Sequence, residues 1–169
     1  MQWAEIDFEI IVADTDESYP KDLKTEDVAI HIAREKAKAV QQKAKDEIIV
    51  AADTIVVLND EIINKPVDRN DAIKILQKLS GSHHKAITGV VIRRGQKEIS
   101  FADVTDVEFH HLSEKQIEFY VDKYKPYDKA GAYAIQEWIG VIGIKCINGD
   151  FYNVMGLPVS RVVKALQQI

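Results

Sequence analysis

The stretch Ile48-Ile49-Val50-Ala51-Ala52-Asp53-Thr54 restricts what this chain can fold into more than any other. An apolar run that stops abruptly at an acid predicts a buried strand, because a strand covered on both faces shows no polar alternation until it leaves the sheet. Its carboxyl end then delivers Asp53 and Thr54 to the place where open α/β sheets bind ligands. A lone Asp after a strand more often starts a turn. Lys65, fixed before a proline, and Lys36, on the inner face of the preceding helix, favour the ligand-facing reading.

A chain of 169 residues suits one domain, or one domain with a small second lobe, and is long enough to bury a core. No apolar run approaches the roughly 18 residues of a membrane span, and the amino terminus has no basic-then-apolar leader, so a cytoplasmic protein is expected. The net charge of -5 argues against a grip on nucleic-acid polymers and leaves room for a small anionic ligand held by local lysines. The single cysteine, Cys146, can form no internal disulfide. Its neighbours Ile144 and Ile147 predict a buried thiol.

In chain order, residues 6–12 read as a strand ending in the turn formers Asp14-Thr15-Asp16-Glu17-Ser18-Tyr19-Pro20. Apolar residues followed by Asp-x-Asp suit an aspartyl-phosphate phosphatase with Asp14 as nucleophile, or an acidic turn facing water. Thr25 with Glu26 and Asp27 opens a helix running to about Lys43, its buried stripe being Ala29, Ile32, Ala33, Ala37 and Val40. Lys36 lies on that inner face, where it either snorkels to the rim or reaches phosphate oxygens in a cleft. Residues 56–63 read as a hairpin turning at Asn59-Asp60. Pro66 holds Lys65 extended, with its ammonium aimed in one direction.

A second helix spans about 69–79, with Gly81 beyond it suited to a left-handed position. His83 and His84, adjacent in a strand, point to opposite faces, so at most one faces a site. Strands over about 85–93 and 98–109 flank a hairpin at Arg94-Gly95-Gln96, and Gly89 within the first marks close approach of a ligand or of another backbone. Ser113 and Gln116 form a capping-box pattern for a third helix reaching Val121. In the small-residue segment 128–136, Lys129 offers a cation and Gln136 a bidentate amide that fits a base edge. A strand over 139–147 and a last helix opening at Pro158 complete the prediction.

Several stretches in this order resemble one family. They are Asp16-Glu17-Ser18-Tyr19-Pro20, Glu35-Lys36-Ala37, Ala52-Asp53-Thr54, Lys65-Pro66, Ser80-Gly81 with His84 and Thr88-Gly89, Asp128 to Tyr133 with Ile135-Gln136, and Gly149-Asp150 through Tyr152-Asn153-Val154 with Gly156-Leu157-Pro158. Together they look like the Maf family of nucleoside triphosphate pyrophosphatases, also called septum formation inhibitors. The resemblance implies an α/β, inosine-triphosphatase-like (Maf/Ham) fold: a twisted mixed sheet flanked by helices, in two lobes with a central cleft. It implies a nucleoside triphosphate substrate cut between the α and β phosphates, a divalent metal cofactor (Mg or Mn) and a homodimer.

Thr54 beside Asp53, with Ile135-Gln136, is similar to the branch that hydrolyses dTTP and UTP. By the same resemblance Asp53 is the catalytic acid or base, Glu17 and Asp53 hold the metal, and Glu17, Lys36 and Lys65 bind substrate, the two lysines facing its phosphates. Thr54 and Gln136 select the base. Family members open with a strand, a Ser-x-Ser-Pro-Arg-type phosphate loop and a helix, whereas this sequence begins at Met1-Gln2-Trp3, past that pattern. The expectation is a single Maf-like domain over 1–169 without that opening, and a non-catalytic nucleotide-binding or regulatory protein of the same fold is the alternative it raises.

Overall fold

The computed structural model describes residues 1–12, 15–41, 43–44 and 46–169. Asp14 lies outside the described residues. Helix α1 (Thr25–Gln41) is followed by strands β1 (Ile49–Leu58) and β2 (Glu61–Ile63), helix α2 (Arg69–Leu79), and the long strands β3 (His83–Arg94) and β4 (Lys97–Phe109). Helices α3 (Glu114–Tyr124) and α4 (Trp138–Gly143), strand β5 (Ile144–Asn148), and helices α5 (Phe151–Val154) and α6 (Val159–Leu166) complete the chain. The expected α/β class holds. The strands form one sheet in the order β2-β1-β3-β4-β5.

All four pairings are antiparallel, where a mixed sheet was expected. For two of them the reason is local: β1 and β2, like β3 and β4, are joined by tight hairpins, and two-residue turns connect only antiparallel neighbours. Asn59 and Asp60 both have positive φ, 50° and 65°, the conformation that matches the twist of paired strands.

The pleat divides the core between the two faces of the sheet. Ile49, Ile55 and Val57 of β1, with Ile87 and Val91 of β3, pack under α1 against Val28, Ala29, Ile32, Ala33 and Ala37. Val56, Val107 and Phe109 point the other way, into a core with Leu76 and Leu79 of α2, Ile117 and Tyr120 of α3, and Ile139. Gly89 is the close-approach position, and what approaches is backbone: a Cβ there would stand 2.2 Å from the carbonyl carbon of Ala29. It lets α1 lie directly on β3.

Four expectations are corrected. Asp53 does not end its strand; it sits in the middle of β1, paired with Gly89, because Ile55-Val56-Val57 continue the buried ladder. Residues 6–12 form no strand, and Ile10 and Val12 are 80% and 83% exposed, since no described strand lies beside them to bury their side chains. The strand expected over 139–147 is helical to Gly143. Gly140 allows this: its missing Cβ would stand 1.7 Å from the Ile135 carbonyl oxygen, so the turn can fold tightly on the preceding loop. Cys146 is exposed, its strand β5 being at the sheet edge with Cys146 turned outward beside Glu108.

Candidate active site

Strand β2 pairs only with residues 56–58 of β1. Among the described residues, the part of β1 that carries Asp53 and Thr54 therefore has a strand neighbour on one side only. A cavity of about 230 Å³ opens along this free edge, walled by β1, Lys65, residues 128–136 and residues 154–156. Asp53 and Thr54 both line it although the pleat sends them to opposite faces, because the cavity wraps around the edge.

On the α1 side lies a chain of ion pairs. The Lys36 ammonium is 2.5 Å from Asp53 Oδ1 and 2.9 Å from Glu17 Oε1, and Lys65 Nζ is 3.1 Å from Glu17 Oε2. Four residues chosen from the sequence thus meet in one place. Asp53 and Lys65 line the cavity, and Lys36 and Glu17, which do not, are joined to them by the ion pairs. Helical phase explains Lys36: the α1 face that buries Ile32 carries it over β1, where Asp53 interrupts the apolar row.

Burial raises the pKa of Asp53 above the ordinary carboxylate value, and the Lys36 ammonium only partly opposes that rise. Burial also works against the charge on Lys36, but the carboxylates of Asp53 and Glu17 outweigh it and raise its pKa. Glu17 moves down, chiefly through its hydrogen bond from Lys36. One carboxylate is therefore biased toward taking a proton and the other toward staying ionised.

The rest of the lining carries one ion pair, Lys129 with Asp128, and is otherwise uncharged. It contains Thr54 and Gln136, the two residues expected to select the base, with Val56, Tyr133, Ala134, Val154 and Met155. Its wall is held by contacts the sequence did not reveal. The Tyr120 hydroxyl donates to Glu137 Oε2 and accepts the Ala134 N–H at 3.2 Å, bracketing the loop that presents Gln136. Behind Tyr133, the ring of His84 is buried, its Nε2 2.8 Å from the tyrosine hydroxyl, whereas His83 is exposed on the opposite face as expected. Tyr120 stands among the buried residues of α3, and nothing in its neighbours in sequence marks this contact. Among the described residues no three His, Cys, Asp or Glu side chains cluster as metal ligands.

Residues 1–169 match the family described as Maf-like protein. The chain belongs to the Maf family. This Maf chain is 48% identical over 166 residues to a protein of Cytophaga hutchinsonii named dTTP/UTP pyrophosphatase, a match covering 98% of this chain and 76% of that protein. Proteins of the same name from Parabacteroides distasonis and Bacteroides fragilis are 47% identical over 165 and 157 residues, matches that cover 96% and 92% of this chain and 86% and 81% of theirs. Among the described residues no helix is long and apolar enough to cross a membrane.

Proposed function

We propose that this protein is a nucleoside triphosphate pyrophosphatase that hydrolyses dTTP and UTP to the monophosphate and pyrophosphate. The observation that carries the reading is the meeting of Asp53, Lys36, Glu17 and Lys65 beside a cavity whose remaining lining, apart from the Lys129–Asp128 pair, is uncharged. The charged cluster suits a triphosphate and the uncharged lining a pyrimidine ring. The name shared by the relatives supports the same substrates.

Hydrolysis needs a water held in line with the anhydride, a base for its proton, and positive charge where the leaving pyrophosphate develops negative charge. Asp53 is the base, its raised pKa favouring acceptance of that proton as the water oxygen bonds to the α phosphorus and pyrophosphate departs. Lys65 faces the phosphates directly. Glu17 holds both ammoniums until substrate enters, when Lys36 turns toward phosphate oxygens. The carboxylates of Glu17 and Asp53 are hard oxygen donors that meet around one ammonium, a donor set that fits Mg or Mn, ions content with one or two carboxylates plus water and phosphate. Such a cation, held by Glu17 and Asp53, would supply charge to the phosphates when bound. Thr54 and Gln136 meet the base. The reading extends to a homodimer in the cytoplasm, which light scattering and fractionation would check.

The test is pyrophosphate release from dTTP and UTP with Mg²⁺. Turnover by the wild type and a loss on the order of 10²-fold or more in Asp53→Asn is the expected result. Tight nucleotide binding without turnover would instead favour a regulatory nucleotide-binding protein.

A further inference from the structure

The uncharged lining of the cavity contains a hydroxyl whose polarity is set from behind. Thr54 Oγ1 is 2.8 Å from Thr88 Oγ1, and Thr88 Oγ1 is 3.1 Å from the backbone carbonyl oxygen of Asn153. A carbonyl has no proton to give, so the second contact is attractive only when the Thr88 proton lies within it. Thr88 has a single hydroxyl proton. The proton between Thr54 and Thr88 therefore belongs to Thr54, and what Thr54 has left to show the cavity is lone pairs.

The partners behind Thr88 are locked as well. Asn153 is fully buried, and its side-chain NH₂ donates to the Ala86 carbonyl at 3.1 Å and to the Thr105 hydroxyl at 3.0 Å. Thr105 in turn donates to the Asp150 carbonyl at 3.1 Å. Each member has one consistent assignment of protons, and reversing any of them would leave two acceptors facing each other in the interior. Thr88, Thr105 and Asn153 do not line the cavity. Gly156 keeps the space beside the Thr54 hydroxyl open, since a Cβ there would stand 3.6 Å from Thr54 Oγ1.

We infer that Thr88 and Asn153 are positioning residues that present the Thr54 hydroxyl as an acceptor for the imide N–H of a uracil or thymine ring, and thereby disfavour a cytosine ring. Cytosine carries a bare ring nitrogen in place of that N–H, so it would set acceptor against acceptor. The inference rests on the pyrimidine nucleotide reading above and specifies how that site chooses its base. With the phosphates at Lys36 and Lys65, as proposed above, the ring falls to the part of the lining that holds Thr54 and Gln136.

The test is calorimetric binding of the non-hydrolysable α,β-methylene analogues of UTP and CTP to the full chain with Mg²⁺. The wild type binds the UTP analogue on the order of tenfold more tightly. Thr88→Val, which takes away the acceptor for the Thr54 proton, brings the two dissociation constants to parity, and Thr88→Ser restores the preference. A Thr88 that served packing alone would weaken both ligands equally and keep their ratio. That result overturns the inference, as does a wild type that binds both equally. Should Thr88→Val not fold, Thr54→Val removes the lone pairs themselves, and a preserved preference in that variant overturns it too. Pyrophosphate release is measured separately: a wild type that prefers the UTP analogue but hydrolyses neither nucleotide overturns the pyrophosphatase reading and leaves this one standing.

Discussion

Asp53 and Lys36 each look costly alone, a carboxylate and an ammonium both drawn out of water beneath a helix. Together each offsets the other's desolvation, and Glu17 secures the lysine from outside. His84 has no such partner. Burial lowers its pKa to about 4 from the ordinary 6.5, so the native state keeps the ring neutral while the unfolded chain takes up a proton below 6.5. Protonation thus favours unfolding, and the stability His84 contributes is lost as pH falls from 6.5 toward 4. Between pH 7 and pH 5 the cost is roughly 2 kcal/mol. Urea midpoints at the two pH values should show it, and His84→Gln should remove about that much of the difference.

At the scale of elements, the site depends on how closely α1 lies on the sheet. Gly89 pairs with Asp53 across the ladder and leaves room for the α1 backbone at Ala29. Gly89→Ala would lift α1 and draw Lys36 away from Asp53. We expect a loss of ~1–3 kcal/mol in denaturant titrations, and a fall in pyrophosphate release larger than the unfolded fraction explains. The Tyr120 clamp works on the opposite wall. Tyr120→Phe leaves the Ala134 N–H and the Glu137 carboxylate without their shared hydroxyl, at about 1–2 kcal/mol. Because the loop they bracket presents Gln136, the kinetic effect should fall on KM more than on kcat, as steady-state rates on UTP would show.

Across the whole molecule, the free edge of β1 is where the two faces of one sheet communicate. A sheet paired on both sides would keep Asp53 and Thr54 on separate surfaces; among the described residues the short β2 leaves that edge without a strand neighbour, so a ligand can touch the Asp53 face with its phosphates and the Thr54 face with its ring. A negative molecule of net charge -5 thus presents a local pair of lysines to an anion. A ligand that bridges both faces should tie α1 to the 128–136 segment. A non-hydrolysable UTP analogue at about 100 times its dissociation constant should add ~2.7 kcal/mol to unfolding, read as a rise in thermal midpoint. No rise at saturation would contradict a preformed site.

The local signals in the chain were sufficient for the elements that depend on neighbours in sequence. The Ser113–Gln116 capping box, the Asn59-Asp60 turn, the α1 stripe and the inward phase of Lys36 all follow from residues within a few positions of one another. The apolar surroundings of Asp53 and Lys36 and the proline after Lys65 singled out those three, and the family resemblance added Glu17. Only the tertiary structure decided that Asp53 sits mid-strand, that residues 138–143 coil and that Cys146 faces water, since each depends on which distant backbone packs alongside. The same holds for Thr54: its partner lies 34 residues away and the carbonyl behind that partner a further 65, a separation at which no sequence pattern assigns a proton.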